Sequence, residues 1–376
     1  MKILEVQIFD TKSCGPTSVM KQIAPRIIRQ GHIVDVFSVR KYSSDREKLA
    51  GSLGMNYFHT NGEFIMSVND ILKYVPSLHN YDVVHIHGIY ELNHFVLTEY
   101  LKKENIPYVV SIHGNLMSSA LKQSRFKKLI ALNMYIKKML KSSSSIHIMA
   151  KNEMVDVKKL IGKHNYNMIY NGVEFTDLIR KNVINKETLN ILFIGRLDVN
   201  HKGIDLLINA ISSKIEIFDK KIKLYLVGPY DSNKDKRVIE SLICSVPQLK
   251  DVISIEGPKY DKEKEKYYDL CDVFIHTSRF EGMPVAVLEA MDHGMPCIVT
   301  PGTNMAEILT ECKGGIVVQE SVYDIAEGII KAQNISREDL FNMGKAAQIW
   351  SRENLNWDKI AVEYEKMYRD LKHDKI

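Results

Sequence analysis

Short β-branched and aromatic runs alternate with stretches whose apolar positions recur at helical spacing, from the first residues to about residue 355. That alternation predicts parallel sheets flanked by helices. In the first half, residues 3–9, 33–39, 83–87, 108–113, 146–149 and 168–170 read as strands. In the second half, 190–194, 222–227, 252–255, 273–276, 296–300 and 316–318 do. Most of these runs end at Gly, His, Ser or Thr, and open α/β sheets place ligand sites just beyond the carboxyl ends of their strands. The polar stretch Lys181–Thr188 separates the two series and is the expected linker. Each half then predicts a doubly wound domain, with a cleft between them. Past the second series, Trp357, Ile360, Ala361, Tyr364, Met367, Tyr368 and Leu371 form one helical stripe. That stripe must be buried, and its period does not say on which half.

At 376 residues the chain exceeds the size at which one core stops growing, which supports two domains. With 45% hydrophobic and 26% charged residues it is a folded chain, not a disordered one. No apolar run is long enough to cross a bilayer. The opening MKILEVQIFD carries Glu5 and Asp10 and lacks a signal-peptide pattern. Cys14, Cys244, Cys271, Cys297 and Cys312 are odd in number and widely spaced, which points to reduced thiols in the cytoplasm rather than disulfides or zinc.

The net charge is +5, unevenly placed. Residues 105–152 contain no acid but eight basic side chains, among them Lys122, Arg125, Lys127, Lys128, Lys137, Lys138 and Lys141. Apolar residues such as Phe126, Leu129, Ile130 and Met134 lie between them. A solvated helix and a membrane-surface helix over Lys122–Lys141 stand as equal readings. Nucleic acid ranks below both, because no recognition module accompanies the charge.

The densest chemistry lies at residues 278–289, SRFEGMPVAVLE. A strand leads into Glu281-Gly282, Pro284 opens an apolar helix, and Gly294 closes it. The amides of Gly282 and Met283 at the helix start form a natural anion site. The carboxylates of Glu281 and Glu289 can each accept two hydrogen bonds from adjacent sugar hydroxyls. A second group, GRLDVNHKG at 195–203, sets Arg196 and Lys202 at a strand end, where a fork and a point charge suit a diphosphate. His85 and His87 make an H-x-H on a predicted strand. Alternating faces are expected to separate them and no acid partner stands in register, so a structural role is expected rather than a metal site. Asn171-Gly172 reads as a turn.

Glu281 and Glu289, separated by seven residues, resemble the E-x7-E signature of retaining glycosyltransferases of family 4. The resemblance extends through GRLDVNHKGIDLLINAI, the Asn171-Gly172-Val173 turn and NWDKIAVEYEKMY, and more thinly through DVVHIHG and SIHG. It implies the GT-B fold, with two Rossmann-like α/β domains facing across a cleft. It places an acceptor-side domain at 1–182, a nucleotide-sugar domain at 183–355, and a helix at 356–376 that packs back on the first. It further implies that Arg196 and Lys202 neutralise a donor diphosphate, and that Glu289 holds the ribose and Glu281 the transferred sugar. The backbone of Gly282, Met283 and Pro284 would hold phosphate and sugar, and His113 would stand near the reacting carbon. No metal or cofactor is expected. Gly15, in Cys14-Gly15-Pro16, replaces the family's Gly-Gly in a donor-binding loop. The expected partners are a nucleotide sugar, UDP before GDP, and a glycan or lipid-linked acceptor. An epimerase or phosphorylase on the same scaffold, and a non-catalytic binding subunit, are the alternatives.

Overall fold

The computed structural model describes residues 1–10, 15–39, 42–60, 67–122, 125–176, 188–218 and 221–373. Cys14 and residues 181–187 of the expected linker lie outside the described residues. The chain divides into two compact units, Met1–Gly172 with Trp357–Ile376, and Val173–Asn356.

The first unit is built on a parallel sheet of seven strands. These are β1 (Lys2–Gln7), β2 (Ile33–Ser38), β3 (Tyr57–His59), β4 (Val83–His87), β5 (Tyr108–Ser111), β6 (Ser145–Ile148) and β7 (Tyr166–Met168). Their order across the sheet is β3-β2-β1-β4-β5-β6-β7. The second unit repeats the plan with β8 (Leu189–Ile194), β9 (Ile222–Val227), β10 (Ile253–Gly257), β11 (Val273–His276), β12 (Cys297–Val299) and β13 (Gly315–Val317). Here the order is β10-β9-β8-β11-β12-β13. In both units the strand order reverses beside the first strand of the series, the switch point where such sheets gather ligands.

Two short, half-buried strands depart from the hydrophobic pattern: Tyr57–His59 has no run of its own, and β7 runs over Tyr166–Met168, two residues before the expected 168–170. In the central strands β1, β4, β5, β6, β8, β11 and β12 the β-branched runs are buried on both faces, as parallel strands covered by helices must be. Several helices start at a Ser followed three residues later by Asp. Ser67, Ser232, Ser321 and Ser336 each accept a hydrogen bond from the amide of that Asp. Such a cap contributes about 1 kcal/mol.

The stripe that begins at Trp357 finds its burial in the first unit. The Trp357–His373 helix packs on the Gly15–Arg29 helix, and its apolar positions share a core with Ile3, Ile23, Val36 and Val83. Gly172 is required at this junction. A Cβ there would lie 2.4 Å from the Trp357 ring, so only glycine lets the indole close over the backbone. The role of Gly172 is structural, although Asn171-Gly172 forms irregular backbone rather than the expected turn.

Candidate functional site

In the second unit, two loops at the carboxyl ends of β8 and β11 are fastened together. Gly203 starts the Ile204–Ser213 helix in a left-handed conformation, and a Cβ there would stand 2.3 Å from the Thr277 carbonyl oxygen. Thr277 Oγ1 donates to the carbonyls of Lys202 and Gly203. Arg279 forks onto the Asp205 carboxylate at 2.9 and 2.8 Å and also donates to the Val199 and Asn200 carbonyls. From the far side, Asn304, itself at φ 60°, donates to the carbonyls of Glu281 and Gly282. The loops carrying Lys202 and Glu281 are therefore held by side chains other than those two, a preorganised arrangement.

Lys202 Nζ is in direct contact with Glu281 Oε1, and both side chains are nearly buried. The same oxygen accepts from Ser278 Oγ at 2.9 Å and faces His201 Nε2 at 3.5 Å and His276 Nε2 at 3.6 Å. Burial pushes the Glu281 carboxyl up, but Lys202, His276 and His201 together outweigh it and hold the group well below its ordinary value. Burial pushes His276 down to about 4, so it stands neutral beside the carboxylate. Lys202 offers three donors, and the pair with Glu281 uses one.

Glu289 lies on the Val285–Asp292 helix, with Pro284 as its N-cap rather than its first residue. Its carboxylate accepts from Lys264 Nζ at 2.6 Å and Tyr268 Oη at 2.8 Å, both on the Asp261–Leu270 helix. Neither partner stands out in DKEKEKYYDL, where dense charge reads as a solvated face. Their i, i+4 spacing is the signal that singles them out. Gly282 and Met283 are buried between Glu281 and this helix. Arg196 stands apart from the group: its guanidinium pairs with Asp231 beyond β9, and its side chain is half exposed.

In the first unit, His113 follows β5 with φ 55°, a left-handed conformation that costs a residue with a Cβ about 1 kcal/mol or more. A buried carboxylate stabilises the turn, since Glu153 accepts from the amides of Gly114 at 2.5 Å and Met149 at 2.9 Å. Burial pushes Glu153 up to about 7 against the pull of those amides. Gly15 is the exposed first residue of its helix, with no atom within 4 Å of where a Cβ would stand.

The expected separation of His85 and His87 is overturned. Residues i and i+2 of a strand share a face, and the two rings lie 4.1 Å apart. The acid missing from the sequence pattern is Glu5, which pairs with His85 across β1 and β4. Its carboxylate accepts from His87 Nε2 at 2.8 Å. His87 Nδ1 in turn lies 3.1 Å from His113 Nε2, so the H-x-H pair belongs to the surroundings of His113.

Residues 14–177 match the family model described as Glycosyltransferase Family 4, and residues 188–334 that described as Glycosyl transferases group 1. An uncharacterized glycosyltransferase of Methanocaldococcus jannaschii is 26% identical over 93% of this chain and 92% of its own length. A GDP-mannose:cellobiosyl-diphosphopolyprenol alpha-mannosyltransferase of Xanthomonas oryzae pv. oryzae is 22% identical over 79% of this chain and 76% of its own. Among solved structures, sucrose-phosphate synthase from Thermosynechococcus elongatus superposes with a TM-score of 0.79 over 98% of each chain, at 17% identity. The two matched models cover every strand of the two sheets except β1, and the twin doubly wound units carry the GT-B architecture. The chain is a glycosyltransferase and belongs to family 4.

Proposed function

We propose that this enzyme is a retaining glycosyltransferase that takes a sugar from a UDP- or GDP-sugar and passes it to a hydroxyl of a glycan or lipid-linked acceptor. The role is in cell-surface glycan synthesis, without an essential metal. The observation that carries the reading is the convergence of Lys202, Ser278 and Glu281 at the carboxyl ends of β8 and β11, next to the start of the Val285–Asp292 helix. The Xanthomonas relative, whose name couples GDP-mannose with a diphosphopolyprenol acceptor, supports the donor and acceptor classes.

As the bond from the anomeric carbon to the diphosphate breaks, negative charge grows on the leaving phosphate. Lys202, Arg196 and the backbone of Gly282, Met283 and Pro284 neutralise it. Glu281, kept ionised by Lys202 and aimed by Ser278, accepts from a hydroxyl of the sugar. Glu289 accepts from the ribose diol, and His113 works at the reacting sugar. The acceptor oxygen bonds to the anomeric carbon on the face the phosphate leaves, and its proton passes to a leaving phosphate oxygen.

A thermal-shift panel of UDP-, GDP- and ADP-sugars finds the donor, because a ligand at a hundred times its Kd stabilises by about 2.7 kcal/mol. Glu289→Ala should weaken that ligand about 10–100-fold by removing two charge-assisted hydrogen bonds. His113→Ala should leave the shift in place and lower turnover by about 10²–10³. Full turnover in purified His113→Ala, or an unchanged affinity in Glu289→Ala, sinks the respective assignment.

The reading includes contact with a membrane surface. No described helix is long and apolar enough to cross a membrane. The Arg125–Ala131 helix, however, buries no residue fully, and Phe126 is 79% exposed and Met134 72%. Leu129 and Ile130 are also exposed, among Arg125, Lys127 and Lys137. Each basic side chain near an anionic surface contributes about 1 kcal/mol. Replacing Phe126 and Met134 by Ser should lower binding to phosphatidylglycerol vesicles about tenfold or more, from the apolar area lost. Equal sedimentation of wild type and variant with those vesicles removes this part of the reading.

A further inference from the structure

Behind His113 runs an unbroken chain of buried hydrogen bonds joining four strands of the first sheet to the Trp357–His373 helix. From His113 Nε2 it passes to His87 Nδ1 at 3.1 Å, and from His87 Nε2 to Glu5 Oε2 at 2.8 Å. Glu5 Oε1 meets Tyr368 Oη at 3.0 Å, which meets His85 Nδ1 at 2.7 Å. His85 Nε2 reaches Ser111 Oγ at 2.7 Å, Ser111 Oγ reaches His147 Nδ1 at 2.6 Å, and His147 Nε2 ends on the Ile169 carbonyl at 3.0 Å. Every member except His113 is buried. His113 is half-buried, and its Nδ1 has no hydrogen-bond partner among the described residues.

We propose that Glu5 and His87, backed by the rest of this chain, are positioning residues that fix His113 with its proton on Nε2 and its Nδ1 lone pair outward, as an acceptor for a sugar hydroxyl. The inference rests on the reading of His113 given above and deepens it. It follows from counting protons. The seven hydrogen bonds just traced need seven protons. With Glu5 ionised and every histidine neutral, His113, His87, Tyr368, His85, Ser111 and His147 supply one each, which is six. The chain closes when it holds one proton more, and that proton also cancels a buried negative charge that would otherwise stand uncompensated.

The place of that proton decides the direction of every bond. A second proton on His87 either fills its bond to His113 twice over or turns the His113 proton outward, and in both cases leaves a gap elsewhere. In every arrangement that fills all seven bonds, the extra proton lies between Glu5 and His147. His87 then donates to Glu5 through Nε2 and accepts from His113 through Nδ1. The outer nitrogen of His113 is left as a lone pair in all of them. Glu5, His85 and His87 bring ligand atoms within 4.8 Å of one another, but each of those atoms is already engaged in this chain, so it is read as a hydrogen-bonded relay and not as a cation site.

The test is the protonation of His113 in the whole protein, read from side-chain 15N shifts of histidine-labelled wild type at neutral pH and assigned by loss of the signal in His113→Ala. A neutral ring protonated at Nε2 is expected; a proton on Nδ1, or an imidazolium, overturns the proposal. Glu5→Ala should lower kcat about tenfold or more with donor KM within about threefold, the range for losing a supporting partner of a catalytic group. Glu5→Gln should rescue it, because its amide oxygen still accepts from His87 Nε2, which leaves His113 the donor in the bond between the two rings, while its NH2 donates to Tyr368 Oη. Glu5→Gln as impaired as a folded Glu5→Ala also overturns it. If Glu5→Ala fails to fold, His87→Phe takes its place: mixed His113 tautomers are expected, and an unaltered Nε2–H signal counts against the chain. Full activity in His113→Ala would instead remove the role of His113 and leave the wild-type shifts as they are.

Discussion

Lys202→Met should lower kcat/KM by about 10³ and also destabilise the second unit, by about 3 kcal/mol, and the two losses should separate when Glu281 is changed as well. The catalytic part follows from charge. Among the described residues, Lys202 and Arg196 are the cations placed at the loop after β8, and Arg196 is half exposed and paired with Asp231. Lys202 therefore carries most of the neutralisation at the Glu281 end. The stability part follows from the other half of the pair. Without Lys202, Glu281 keeps its hydrogen bond from Ser278 but loses its strongest favourable charge interaction in a nearly buried position.

Removing both charges removes that penalty. Lys202→Met/Glu281→Gln should melt within about 1 kcal/mol of wild type, since replacing a buried pair by neutral groups is often close to neutral. Its activity should stay at or below that of the single variant, because the double variant also lacks the acceptor for the sugar hydroxyl. Melting curves and initial rates on the same preparations read both quantities. A double variant as unstable as Lys202→Met would show that Lys202 stabilises by packing, and recovery of activity with stability would show that the single variant was inactive only because it was poorly folded.

The sequence makes the fold and half of the site legible, for reasons that differ from place to place. Parallel strands buried on both faces need near-continuous apolar runs, so the central strands are visible, while the short, half-buried Tyr57–His59 is not and Tyr166–Met168 is placed two residues late. The stripe from Trp357 to Leu371 announces a buried helix, but the partner face lies some 340 residues away in the chain and only the folded structure names it. Lys202 and Glu281 are visible because they sit at loop ends in a dense local pattern, and Glu289 because it lies on the helix that continues that pattern. Lys264 and Tyr268, which hold Glu289, come from a helix whose charge hides them. Glu5 and His87 stay hidden for a further reason. Register between neighbouring strands, which sets Glu5 beside His85, is a property of the sheet and not of either strand alone.

Acidification from pH 7.5 to pH 4.5 should destabilise the protein steeply, and the first unit before the second. Burial lowers His94, His147 and His276 to about 4 each, where an unfolded histidine titrates near 6.5. Between those values the unfolded chain binds protons that the folded one refuses, so stability falls as pH falls through 6.5 toward 4. Each of the three contributes about 3 kcal/mol over the full window, a large part of a domain's total stability. Two of them belong to the first unit, which also holds His85 and His113, both pushed well below their ordinary value by burial. Glu153 works the other way. Its folded carboxyl, raised to about 7, keeps its proton while an unfolded glutamate loses it above about 4.3, so its contribution grows as pH falls and offsets roughly one histidine. The extra proton held by the chain behind His113 acts in the same direction, so the penalty left to the first unit is that of His85 and His113, read as a falling midpoint in urea titrations at successive pH values. His94 gives the cleanest single test. Its Nδ1 faces the Gly88 carbonyl at 3.2 Å and its Nε2 is buried without a hydrogen-bond partner among the described residues, so an apolar side chain of similar size fits its surroundings. His94→Leu should flatten the dependence of midpoint on pH between 6.5 and 4.5 by about 2–3 kcal/mol, the share of one buried neutral histidine. An identical slope in the variant, or a wild-type midpoint that stays level down to pH 4.5, would mean that these rings reach water and titrate as they do in the unfolded chain.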